Sequence, residues 1–154
     1  MAATLLPVPH VPQREQGECL AACAAMMLSY LGHPVNYDKL IKLLRVRANI
    51  GAPASNIRQL ETLNVTVIYK QGAWGELQDH LEHNHPCTVL VQTGELPYWD
   101  ESSDHAVVLT GLDDEFVYLN DPAFLEAPIR VSRGEFDLAW LEKDEVYAVL
   151  IPQP

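Results

Sequence analysis

Apolar positions recur at helical spacing through the first half of the chain and as short strand-like runs through the second, an order that predicts an α+β fold. Glu18–Leu31 is built of helix formers, carries Leu20, Cys23, Met27 and Leu31 on one stripe, and stops at Gly32 followed by Pro34. Asn36 is placed to cap a second helix through Leu44, and Ser55 or a near neighbour opens a third that ends near Asn64. Val65–Tyr69 reads as a strand, Trp74–Asn84 as a helix, and Thr88–Gln92 as a strand entered through Pro86. After the loop TGELPYWDESSD, residues 93–104, the strands Ala106–Leu112 and Phe116–Asn120 form a hairpin around residues 113–115. A short helical stretch near Phe136–Trp140 and a strand at Val146–Ile151 complete the pattern.

Composition narrows this picture. A chain of 154 residues, 48% hydrophobic, fits one domain spanning 1–154. The opening MAATLLPVPH has no positive run and is broken by Pro7 and Pro9, unlike a signal peptide. No stretch approaches the roughly 20 apolar residues of a membrane span. Three cysteines are an odd number and too few for a disulfide scaffold, which points to free thiols and a cytoplasmic setting. A net charge of -11 with no basic stripe argues against nucleic acid as a partner. The acidity serves solubility first and would favour basic substrates second.

The cysteines differ in position. Cys19 sits in the first turn of its helix, where unpaired N–H groups and the positive end of the dipole favour a thiolate, whereas Cys23 lies one turn on. Cys23 and Cys87 read as small core residues. One helical turn does not give Cys19 and Cys23 the geometry of a disulfide. His80, His83 and His85 form the most metal-like cluster, but Pro86 ends the element at the third, so no metal and no cofactor are expected. Gln13, six residues before Cys19, can return a carboxamide to the thiol. Together with the backbone N–H of Cys19, that carboxamide would make an oxyanion hole for acyl transfer.

The stretch QREQGECLAACAAMMLSYLG, with Gln13, Glu18, Cys19, Tyr30 and Gly32, resembles the start of the C39 peptidase and C39-like family of papain-like cysteine peptidases. Later blocks also match, DHAVVLTG offering His105 and VYLNDPA offering Asp121, so the resemblance spans residues 8–151. It implies a papain-like fold, N-terminal helices with the nucleophile at a helix start packed on a C-terminal antiparallel sheet. It also implies Cys19 as nucleophile, His105 as general base and then acid, Asp121 as its orienter and Gln13 as oxyanion donor, acting on peptide or isopeptide bonds. One departure is Leu20, where the family commonly has Gly; it bears on the substrate groove, which Tyr98 and Trp99 are also expected to line. Well-known relatives trim leader peptides while attached to membrane-spanning exporters. This sequence shows neither a span nor a phosphate loop, so leader or tail processing would need a separate exporter. Two alternatives stand beside it: a transglutaminase-like acyltransferase or amidase, which uses the same residue types in the same chain order, and a noncatalytic domain that holds peptides in the same groove.

Asn120 and Asp121 are both able to orient an imidazole, and register separates them. A three-residue loop at 113–115 sets Val107 opposite Asp121, with His105 as its diagonal neighbour; a two-residue loop of Asp113 and Asp114 turns Asn120 toward His105 instead.

Overall fold

The long apolar run after residue 104 becomes the middle strand of a seven-stranded sheet in a computed structural model, which describes residues 3–154. The strands are β1 (Thr4–Leu5), β2 (Val65–Gln71), β3 (Cys87–Gln92), β4 (Asp104–Leu112), β5 (Phe116–Asn120), β6 (Ile129–Ser132) and β7 (Val146–Pro152). Their order is β2-β7-β3-β4-β5-β6, with β1 added to β4, and every pairing is antiparallel. The helices are α1 (Cys19–Tyr30), α2 (Tyr37–Leu43), α3 (Trp74–Glu82) and α4 (Arg133–Leu141). The third predicted helix forms over Ala54–Leu63 as 3₁₀ rather than α structure, ending where Asn64 turns left-handed at φ 62°.

Helices cover both faces of the sheet. Leu20, Met27, Leu40, Ile57 and Leu60 pack with Ala106, Val108, Ala148 and Leu150 on one side. Leu77, Leu81, Phe136 and Trp140 pack with Val89, Val107, Leu109 and Val149 on the other. With both faces buried, Ala106–Leu112 reads as a continuous apolar run instead of an alternating one. α1 is likewise buried along nearly its whole length, Leu20 to Leu28. No helix among the described residues is long and apolar enough to cross a membrane.

Two short strands escape the sequence pattern. β1 lies beside the far end of β4, pairing Thr4 with Leu112 and Leu5 with Gly111, where β3 has already ended at Cys87↔Leu109. Gly111 permits this approach, because a Cβ there would lie 2.5 Å from the Thr4 carbonyl oxygen. β6 adds the outer edge of the sheet by pairing with β5.

Residues 113–115 separate β4 from β5 as expected, but the pairing beside them is not that of a three-residue loop. Leu112 pairs with Val117, the Asp113 N–H donates to the Phe116 carbonyl at 2.9 Å, and Asp113 Oδ1 accepts from the N–H groups of Glu115 and Phe116, both at 2.8 Å. A bulge between Leu109 and Gly111 then shifts the register by one, so that Leu109 meets Leu119 and Val108 meets Asn120. Continued one step, this sets Val107 opposite Asp121. The expected pairing therefore arises from a bulge at Thr110 and not from the turn.

Candidate active site

Cys19 is the first residue of α1, and no side chain caps the helix there, so its leading N–H groups stay available. The turn before it is held from outside. Glu18 is buried and accepts from the Arg14 N–H at 3.2 Å and the Tyr37 hydroxyl at 3.0 Å, and Arg14 also pairs with Asp38 at 2.9 Å. Gly17, at φ +88°, lies so close to the loop at Gly51 that a Cβ would sit 2.9 Å from the Gly51 nitrogen. Only glycine fits both that backbone and that contact.

His105 stands at the start of β4, and its Nε2 meets Asp121 Oδ1 at 2.7 Å. His105 also hydrogen-bonds the Cys19 side chain, and with Nε2 occupied by Asp121 that leaves Nδ1 for the thiol. Burial alone would raise the Cys19 thiol; the His105 imidazole and the backbone N–H groups of Ala106 and Leu20 outweigh it and hold the thiol below its ordinary value. Burial alone would lower His105, but hydrogen bonds to Asp121 and Cys19 push it up to about 9. Asp121 is fully buried, yet His105, the Ala123 N–H and the Trp99 indole keep it below the usual carboxylate range. This is an arrangement that favours a thiolate beside an imidazolium.

The other thiols lie in apolar surroundings. Cys23 and Cys87 are fully buried, and burial pushes both well up. The three histidines diverge. His80 Nε2 contacts the Tyr147 hydroxyl at 3.1 Å, His83 Nδ1 donates to the Asp79 carbonyl at 2.7 Å, and the His85 ring centre stands 6.1 Å from that of His80.

A cleft of about 570 Å³ opens over Cys19. One wall is the 49–54 loop, the other carries Trp99, Glu101, Asp104 and Lys143, and Gln13, Leu20 and His105 line it with Cys19. Leu20 is only 4% exposed and points its bulk into the core under α1, so it does not fill the space over the thiol. Gln13 is fixed through its N–H, which donates to the Pro122 carbonyl at 2.8 Å, and its carboxamide oxygen has no hydrogen-bond partner among the described residues. Tyr98 does not line the cleft. Its hydroxyl donates to Asp121 Oδ2 at 2.7 Å, and the Trp99 indole N–H donates to the same oxygen at 2.9 Å. Asn120 points elsewhere, its amide donating to the Val8 carbonyl at 3.2 Å. Neither the Asp121 donors nor the Asn120 tether has a local sequence signal, since each joins segments far apart in the chain.

The sequence profile described as "Peptidase_C39 like family" matches residues 5–147. Among solved structures, a Bacillus anthracis protein described as a C39-like peptidase superposes with a TM-score of 0.82 at 19% identity, covering 99% of each chain. A double glycine motif protease from an AMS/PCAT transporter, solved with its leader peptide, gives 0.77 at 22% identity over 97% of this chain and 95% of that one. The peptidase domain of Streptococcus ComA, a bifunctional ABC transporter of a quorum-sensing pathway, gives 0.76 at 20% identity over 94% and 98%. Curated proteins give no match.

Proposed function

Since the chain belongs to the Peptidase_C39 like family, we propose that it is a cysteine peptidase that cleaves peptide amide bonds through a thioester on Cys19. The observation that carries this reading is the contrast among its thiols: Cys19 alone is held low, by an imidazole that itself sits on a buried carboxylate. In the first half-reaction, Cys19 Sγ attacks the scissile carbonyl carbon. The developing oxyanion is met by the Cys19 backbone N–H and the Gln13 carboxamide. His105 gives its proton to the departing amine, the C–N bond breaks, and the acyl group remains as a thioester. In the second, His105 takes a proton from water, hydroxide adds to the thioester, and the carboxylic acid leaves as the thiolate reforms. Asp121 holds the imidazole in position and stabilises its charged form.

The open cleft and the burial of Leu20 support access of an extended peptide, in favour of hydrolysis over peptide holding alone. The leader peptide bound by the double-glycine protease supports the same substrate class. The test is mass spectrometry of a complex peptide mixture incubated with the protein and with Cys19→Ala, with and without an added amine. New free carboxyl termini that require Cys19 are expected. Amine-capped termini in their place would make the protein an acyltransferase, and cleavage that survives Cys19→Ala would remove the thiol from the chemistry.

A further inference from the structure

The cleft accounts for one face of Trp99 but for nothing of Tyr98. Both side chains reach the same atom, Asp121 Oδ2, at 2.7 and 2.9 Å, while Oδ1 takes His105 at 2.7 Å and the Ala123 N–H at 2.9 Å. We propose that Tyr98 and Trp99 are positioning residues that clamp the Asp121 carboxylate so that only Oδ1 is presented to His105. The proposal rests on the Cys19–His105–Asp121 reading above.

The geometry divides the carboxylate into two halves with separate tasks. Rotation about its Cβ–Cγ bond would break two charge-assisted hydrogen bonds on the Oδ2 side, which are stronger than neutral ones. The donors are themselves fixed. Their loop is closed at the neck by the Thr93 N–H donating to Ser103 O at 2.9 Å, Thr93 Oγ1 to Glu101 O at 2.7 Å and the Ser103 N–H to Thr93 Oγ1 at 2.8 Å. The Phe124 ring packs edge-on against both Tyr98 and Trp99, at 5.1 and 5.2 Å, and Trp99 packs edge-on against His105 at 5.0 Å. Water is thereby kept from a carboxylate that has no exposed surface.

The chemical consequence concerns the proton on His105. A desolvated carboxylate with fewer donors is a stronger base and competes for that proton. As the proton moves toward Asp121, the imidazolium that supports the Cys19 thiolate is lost. The clamp thus keeps Asp121 as an anion that orients without accepting the proton.

Tyr98→Phe and Trp99→Phe remove the donors while keeping an aromatic ring. The readout is the rate of Cys19 carboxamidomethylation by iodoacetamide, followed by mass spectrometry from mildly acidic to mildly alkaline pH, with Cys19→Ser as blank. Each substitution is expected to move the acid limb of that profile upward by about one pH unit. Each is also expected to slow peptide turnover roughly tenfold, with KM nearly unchanged for Tyr98→Phe, whose ring does not line the cleft, and the double variant to do more. Thermal unfolding is recorded alongside, because loss of packing alone would lower the melting temperature without moving the profile. Reactive Cys19 in the wild type with an unmoved profile in both variants would overturn the clamp and leave the catalytic reading standing. Wild-type Cys19 no more reactive at acid pH than Cys23 or Cys87 would overturn both.

Discussion

Two polar clusters on this fold share nearly the same ingredients and differ in what those ingredients do. One holds Cys19, His105, Asp121 and Tyr98; the other, at α3, β3 and β7, holds Cys87, His80, Glu76 and Tyr147. In the first, the carboxylate meets the imidazole directly at 2.7 Å and is fully buried. In the second, Glu76 is occupied by Lys70 at 2.6 Å, the Ala73 N–H at 2.9 Å and the Tyr147 hydroxyl at 3.2 Å, and the His80 ring meets the Tyr147 phenol in place of the carboxylate. The outcomes are opposite. His105 is pushed up to about 9, whereas His80 is lowered, first by burial and then by His85. Cys19 is held low against burial by His105, whereas Cys87 has burial acting on it alone and is pushed up. The same residue types do not lower the thiol in both clusters. What matters is a carboxylate left free for the imidazole, and an imidazole left free for the sulfur.

The sharpest way to break that contrast is to exchange the thiols for alanine one at a time. Cys19→Ala is expected to reduce peptide hydrolysis by about 10⁴-fold or more, because the proposed nucleophile would have no substitute. Cys87→Ala should leave turnover near wild type. A large loss at Cys87, measured as kcat at matched folded concentration, would erase the distinction between the clusters.

Next in size are the groups that serve the thiol. Gln13→Ala should lower kcat by roughly 10²- to 10³-fold, the range for losing one oxyanion donor. Asp121→Ala should cost roughly 10²- to 10⁴-fold and raise the pH at which Cys19 alkylates. Asn120→Ala should cost less, since its amide ties down Val8 instead of turning to His105. A greater loss at Asn120 than at Asp121, in the same steady-state assay, would reassign the orienting role.

These predictions draw on features unequally visible in the chain. The start of α1 is legible because helix formers begin at Glu18 and Gly32 ends them, and Asn36 caps α2 as its type suggests, accepting from the Lys39 N–H. Gln13, Cys19, His105 and Asp121 are legible as a motif series, and the fold brings the last three into line. β1 and β6 are not legible. They have two and four residues, too few for periodicity, and only pairing with distant strands makes them strands. The Thr110 bulge is hidden for a related reason: an apolar run buried on both faces carries no alternation to mark a register shift. Tyr98 and Trp99 read as groove lining because they precede His105, but their partner lies 23 and 22 residues ahead, across a strand pair.

A smaller effect tests whether β1 matters to the strand that carries His105. Gly111→Ala would set a methyl 2.5 Å from the Thr4 carbonyl oxygen and 2.8 Å from the Leu5 side chain. The backbone must give way, at a cost of about 1–3 kcal/mol. Calorimetry should show a lower melting temperature. An unchanged value would mean that β1 can leave β4 without consequence.

The smallest expected effect is in the pH dependence of stability, and it separates the two histidines by sign. His105 has a folded pKa of about 9, against 6.5 for an ordinary histidine. A raised folded pKa gives stability that is complete below the unfolded value and is lost as pH climbs from 6.5 toward 9. The lowered thiol of Cys19 acts the other way, giving stability above the unfolded thiol value of 9.0 that is lost as pH falls toward the lowered one. Between those limits the folded chain gains a proton at His105 and gives one up at Cys19, so the two slopes oppose each other. Cys19→Ala removes one of them while leaving Asp121 on the imidazole. Relative to wild type, its urea midpoint should therefore fall as pH rises through this window, by on the order of 1 kcal/mol in free energy. Adding His105→Gln should restore the wild-type slope. His80, with a lowered folded pKa, loses its contribution as pH falls through and below 6.5, so His80→Gln should flatten the acid side and leave the alkaline side unchanged. Equal slopes in Cys19→Ala and wild type would mean that the fold does not lower the Cys19 thiol, and the electrostatic difference between the thiols of the two clusters would disappear.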